Sequence, residues 1–220
     1  AQDSDVHFKE GLLALQGARH KTAIDAFTQT VAAEPAHARA WYYRGLSRDA
    51  MGDHVGAMHD LDRALALDPT DANVLLRRGD VYLNAGRPNE ARADLNALLK
   101  THSIGPIAIH ALFSLGSANV ALDEFDAALQ VYERLVIMAP NDARAWCDRG
   151  IARAHLGQHE AAIADLSKAI AMDPRLDKAY SSRAVELIHL DRKAEACPDL
   201  LLARELGDTT LDEMIVIYCD

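Results

Sequence analysis

Arg44, Arg78, Arg149 and Arg183 are each followed sixteen residues later by an aspartate: Asp60, Asp94, Asp165 and Asp199. A guanidinium and a carboxylate repeated at fixed spacing have two chemical uses. They can neutralise each other as structural ion pairs, or the arginines can form a ladder that grips an anionic ligand. The one-to-one match favours pairing, because a half-buried arginine without a carboxylate is costly. Other chemistry is sparse. The chain has no glycine-rich phosphate loop, no Cys-x-x-Cys and no His-Glu-x-x-His. Its ten histidines are scattered. His155 and His159 are four residues apart but straddle Gly157, so no single helical face holds them. The reading expects no catalytic constellation, no metal site and no cofactor, and so no enzyme.

The elements that position the charged pairs are marked by small residues and prolines. Thirty-four residues separate Pro35 from Pro69, and Pro140 from Pro174. Gly11 precedes Ala23 by twelve residues, and the same offset links Gly45 to Ala57, Gly79 to Ala91, Gly116 to Ala128 and Gly150 to Ala162. Ala184 and Ala196 keep it. Six repeats result, over residues 4–37, 38–71, 72–108, 109–142, 143–176 and 177–208 of a single domain. Each holds two blocks of apolar residues at helical spacing with a turn between them, which predicts a helix–turn–helix pair. The small residues let paired helices approach closely. Phe27, Leu61, Leu95, Tyr132, Leu166 and Leu200 fill the space four residues after each conserved-offset alanine. Repeats one and four lack the Arg/Asp pair. Repeats two and five also share His54/His159 and Arg39/Arg144, so the chain reads as a duplicated three-repeat block. His155 and His189 take equivalent places in adjacent repeats, and a solvated surface is the expectation for both. Between repeats three and four the period grows by three residues, and Gly105-Pro106 predicts a longer loop or an altered packing angle there.

The pattern Trp41/Gly45/Ala57/Leu61/Ala64/Pro69, and its copy Trp146/Gly150/Ala162/Leu166/Ala169/Pro174, resembles the tetratricopeptide repeat family. The resemblance covers nearly the whole chain. It implies an all-α, right-handed solenoid of six helix hairpins, here followed by a capping helix over 210–219. It also implies a non-enzymatic scaffold that holds a peptide or partner protein in the groove lined by the first helices. Family ligand positions fall on Phe8, Arg39, Tyr42, Tyr43, Asn73, Leu76, Arg77 and Phe113. The alternative reading of the large apolar residues among them is that neighbouring repeats cover them. Phe8 and Leu12 stand where the family's carboxylate clamp needs polar residues, so that variant does not fit.

Composition agrees with a folded chain that binds protein. Half the residues are hydrophobic and the formal net charge is −10, which argues against nucleic acid as a partner. No apolar run reaches the length that spans a bilayer. At the C-terminal end, Thr210 with Glu213 reads as a capping box. Leu211, Met214, Ile215 and Tyr218 then form one apolar face, leaving Val216 and Ile217 off it. A homodimer through this cap or the terminal repeats is the second function expected, as a self-associating structural protein of the cell envelope.

Cys197 and Cys219 lie eleven residues either side of Asp208, in the turn between two helices expected to run antiparallel. That spacing brings the two level. The stretch also resembles the end of tetratricopeptide proteins exported to bacterial envelopes, where such a cysteine pair recurs, and a disulfide is expected. The bridge would close a loop of about twenty-two residues and contribute roughly 3 kcal/mol. With the start at Ala1-Gln2 it implies a signal peptide removed and a periplasmic or otherwise exported protein. A trimmed cytoplasmic chain with three reduced thiols is the alternative.

Overall fold

A computed structural model describes residues 2–219, and these are helical from end to end with no strand among them. The elements pair as hairpins: α1 Gln2–Gln16 with α2 His20–Ala33, α3 Ala38–Asp49 with α4 His54–Leu67, and α5 Ala72–Asn84 with α6 Pro88–Thr101. They continue as α7 Pro106–Ala121 with α8 Phe125–Met138, α9 Ala143–His155 with α10 His159–Met172, and α11 Asp177–His189 with α12 Lys193–Leu206. A 3₁₀ turn, Thr209–Leu211, leads into α13 Asp212–Tyr218. This is the all-helical hairpin fold the repeats imply. One compact unit ends at Ser114 and a second begins at Leu115, the division falling inside α7.

Within each hairpin the small residues act as the sequence implies. Phe27, Leu61, Leu95, Tyr132, Leu166 and Leu200 are all buried, and the first five each lie over the glycine of the partner helix. A methyl group added at Gly150 would come to 2.9 Å from Leu166 Cγ, and one at Gly79 to 3.0 Å from the Leu95 side chain. Close approach, rather than backbone freedom, therefore accounts for these two glycines.

The junction before repeat four corrects one expectation. The connection between α6 and α7 runs over 102–105, four residues, as do those between α2 and α3 and between α4 and α5. The three extra residues instead lengthen α7 to 16 residues, against 12 in α3 and 13 in α5. Pro106 opens that helix, where its missing N–H would be unpaired anyway. Gly105, at φ +90°, makes the reversal before it.

The cap differs in detail too. Asp208, not Thr210, receives the capping hydrogen bond, 3.1 Å from the Thr210 N–H. It starts a 3₁₀ turn before the α-helix proper, and the Thr210 hydroxyl first, with the Thr210 N–H, holds the Asp208 carboxyl below its ordinary range against burial. The apolar face is as read: Leu211 is buried against Leu187, Leu200 and Ala203, with Met214, Ile215 and Tyr218 packed around it. Gly207, at φ +120°, closes α12.

Candidate functional site

Every arginine of the ladder meets its own aspartate across the hairpin. Arg44 donates from Nε and Nη2 to the two Asp60 oxygens at 2.8 and 2.8 Å. Arg78 does the same to Asp94 at 2.7 and 2.7 Å, Arg149 to Asp165 at 2.7 and 2.6 Å, and Arg183 to Asp199 at 2.7 and 2.7 Å. The fork-to-fork geometry satisfies both carboxylate oxygens at once. The aspartates are buried, so the guanidinium carries the cost of burying their charge.

Two further contacts were not read from the sequence. First, the free arm of the guanidinium reaches into the preceding repeat. Arg44 Nη1 donates to Thr28 Oγ1 at 3.2 Å, Arg78 Nη1 to Asp62 at 2.6 Å and Arg183 Nη1 to Ser167 Oγ at 2.9 Å. Thr28, Asp62 and Ser167 hold the same repeat position, and that period was the available signal. Second, repeats two and five give their aspartate a second arginine: Arg48 Nη1 lies 2.9 Å from Asp60, and Arg153 Nη1 2.8 Å from Asp165. The tryptophans of these repeats complete the arrangement. Trp41 Nε1 donates to the Pro35 carbonyl and Trp146 Nε1 to the Pro140 carbonyl, each at 2.9 Å. Arg44 and Arg149 lie 4.6 Å above those indole rings.

The expected ligand face divides into core and surface. Phe8 is 8% exposed and Leu76 6%. Both side chains are buried, Phe8 among Phe27, His37 and Tyr43. Arg39, Asn73 and Arg77 are exposed, while Tyr42, Tyr43 and Phe113 are half-buried. Arg39 lies 5.4 Å from the Phe8 ring centre and 5.9 Å from that of Tyr43. Tyr42 stands edge-on to Tyr43 at 5.1 Å. Burial raises the Tyr42 hydroxyl above its ordinary pKa, with Arg77 acting in the opposite direction. Arg77 faces Asp80 at 3.6 Å, and Asp80 also accepts from Ser114 Oγ at 2.7 Å. The face is therefore an aromatic strip bordered by two exposed arginines and an amide.

Cys197 and Cys219 stand level across α12 and the end of α13, their Cα atoms 5.3 Å apart, inside the span a disulfide requires. Cys147, a groove position by repeat register, is buried instead. Burial pushes its thiol up to about 12, so it is unreactive at neutral pH.

Models of the tetratricopeptide repeat match residues 8–72, 76–143 and 115–189. The chain belongs to the tetratricopeptide repeat family. Among curated relatives, cellulose synthase operon protein C of Xanthomonas axonopodis pv. citri is 32% identical over 150 residues, 63% of this chain and 10% of that protein. The chain spans between 6% and 47% of the lengths of the curated relatives it matches. Among solved structures, MamA is 27% identical over 74% of this chain and 94% of its own, with a TM-score of 0.68. Pseudomonas aeruginosa pilF matches 100% of this chain and 98% of its own at 0.81, with 15% identity, a likeness of fold alone. Tetratricopeptide repeats are protein-interaction scaffolds, and family and fold support that role for this chain. Among the described residues no helix is long and apolar enough to cross a membrane.

Proposed function

We propose that this tetratricopeptide chain is a non-enzymatic scaffold that holds an extended peptide or partner segment along the face of α1, α3 and α5. The observation that carries the reading is the exposed trio Arg39, Asn73 and Arg77 around the half-buried Tyr42, Tyr43 and Phe113. Aromatic and arginine side chains dominate protein interfaces, and the exposed amide and guanidinium groups offer donors to a peptide backbone. Peptides selected from a displayed library against the whole chain provide the test. Tyr42→Ala with Arg77→Ala should weaken the selected peptide by about tenfold or more, which corresponds to about 1.4 kcal/mol, while the circular dichroism spectrum stays that of the parent. Unchanged affinity would refute the assignment of this face.

A second reading, self-association, is favoured by Val216 and Ile217, 64% and 68% exposed on the cap. Its occupant would be a second copy of this chain. Sedimentation velocity over a range of concentrations decides it: a dimer abolished by Ile217→Lys supports it, and a monomer throughout removes it.

The Cys197/Cys219 geometry supports a disulfide in the native protein and hence an oxidising, exported location. Mass spectrometry of the unreduced native chain checks both. A loss of two hydrogens mapped to this pair is expected, and three free thiols would overturn both proposals.

A further inference from the structure

Glu186 stands at a core position of α11, 3% exposed. The same position in repeats two to five is Ser47, Val81, Ala118 and Ala152, all small or apolar and all buried. A carboxylate there must be neutralised. Among the described residues its ion-pair partners are both histidines. His159 Nδ1 lies 2.6 Å from one Glu186 oxygen and His189 Nδ1 3.6 Å from the other. The two imidazoles stand edge to face at 5.3 Å. One ligand atom from each of the three residues fits within 4.8 Å of the others. His159 opens α10 and the other two sit one turn apart on α11, so the cluster bridges repeats five and six. A cleft of about 240 Å³ adjoins it, lined in part by His155, Ser182, Glu186 and His189.

We propose that His159, Glu186 and His189 bind a late first-row divalent cation of the zinc type. Two imidazole nitrogens and one carboxylate oxygen are the ligand set of an open four-coordinate zinc site, with water in the last position. The nitrogen donors disfavour calcium and magnesium, which take oxygen. The repeat supplies an internal control. His54 is the counterpart of His159, but the repeat-three positions equivalent to Glu186 and His189 hold Val81 and Asn84.

Cobalt(II) reports coordination number through its visible spectrum. It would be titrated into the untagged full chain, without reductant, after chelator treatment. The expected result is one cobalt per chain, with the intense absorption of a four-coordinate ion, displaced by zinc. His159→Ala and His189→Ala, both at partly exposed side chains, should each abolish that band, and His54→Ala should leave it. Zinc should raise the melting midpoint of the parent and not of His189→Ala. A weak six-coordinate spectrum in the parent, or a band that survives both histidine substitutions, would overturn the assignment. So would a sulfur charge-transfer band, which would move the site to the cysteines.

Discussion

Repeats two and five share Arg39/Arg144, Trp41/Trp146, Arg44/Arg149, Arg48/Arg153, His54/His159 and Asp60/Asp165, yet their histidines are used differently. His54 Nδ1 lies 2.7 Å from Asp49, inside its own repeat. Repeat five has Ala154 in that place, and His159 crosses to Glu186 of repeat six instead. The bidentate Arg/Asp pair, the second arginine, the indole beneath the guanidinium and the proline carbonyl keep their geometry in both repeats, because each of these groups recurs with the period. The histidine sits at the seam, where the neighbour decides its role. In a repeat protein, conserved position fixes what happens within a hairpin, and the adjacent repeat fixes what happens between hairpins.

The largest expected effect tests the shared part. Asp165→Asn leaves Arg149 and Arg153 facing each other with the carboxylate charge removed, and should cost about 3–5 kcal/mol in chemical denaturation. Asp94→Asn, whose carboxylate neutralises Arg78 alone within its hairpin, should cost less. Equal losses would break the distinction between repeats with one and with two arginines. Next comes the end of the chain. Cys197→Ser with Cys219→Ser should lower stability by up to about 3 kcal/mol, and reductant should destabilise the parent but not this variant. A smaller effect bears on the seam itself. In chelator, His159→Ala should cost about 1–3 kcal/mol, because Glu186 stays buried with a poorer partner. His54→Ala, which frees a half-exposed aspartate, should cost under about 1 kcal/mol. Equal costs would erase the contrast. The smallest effect is kinetic: iodoacetamide at pH 8 should leave Cys147 unmodified in the native chain and alkylate it in urea. Rapid native labelling would place the thiol on the surface.

Much of this architecture was legible in the residues. The glycine–alanine offset fixes which helices touch, and burial of Phe27, Leu61 and Leu166 follows from it. The Arg/Asp pairs were legible because each unpaired charge would be costly. What escaped depends on contacts between repeats. Phe8 and Leu76 occupy ligand positions by register but are buried, and a period does not encode how deeply a register position is covered. Cys147 is hidden for the same reason. Three inserted residues can enter a loop or a helix, and Pro106 can start either one. Thr210 and Asp208 are both good capping residues, and only the path of the chain after Gly207 selects Asp208. Glutamate is common on helices, so Glu186 carries no signal by residue type alone. Comparing its repeat position with Ser47, Val81, Ala118 and Ala152 would have marked it.

The charged pairs form the framework of the repeats. A double-mutant cycle on Arg149 and Asp165, using Arg149→Met and Asp165→Asn with unfolding followed in urea, tests this directly. The expected coupling is above about 1 kcal/mol, within the range for contacting residues. Additive losses, with no coupling between the two substitutions, would contradict it.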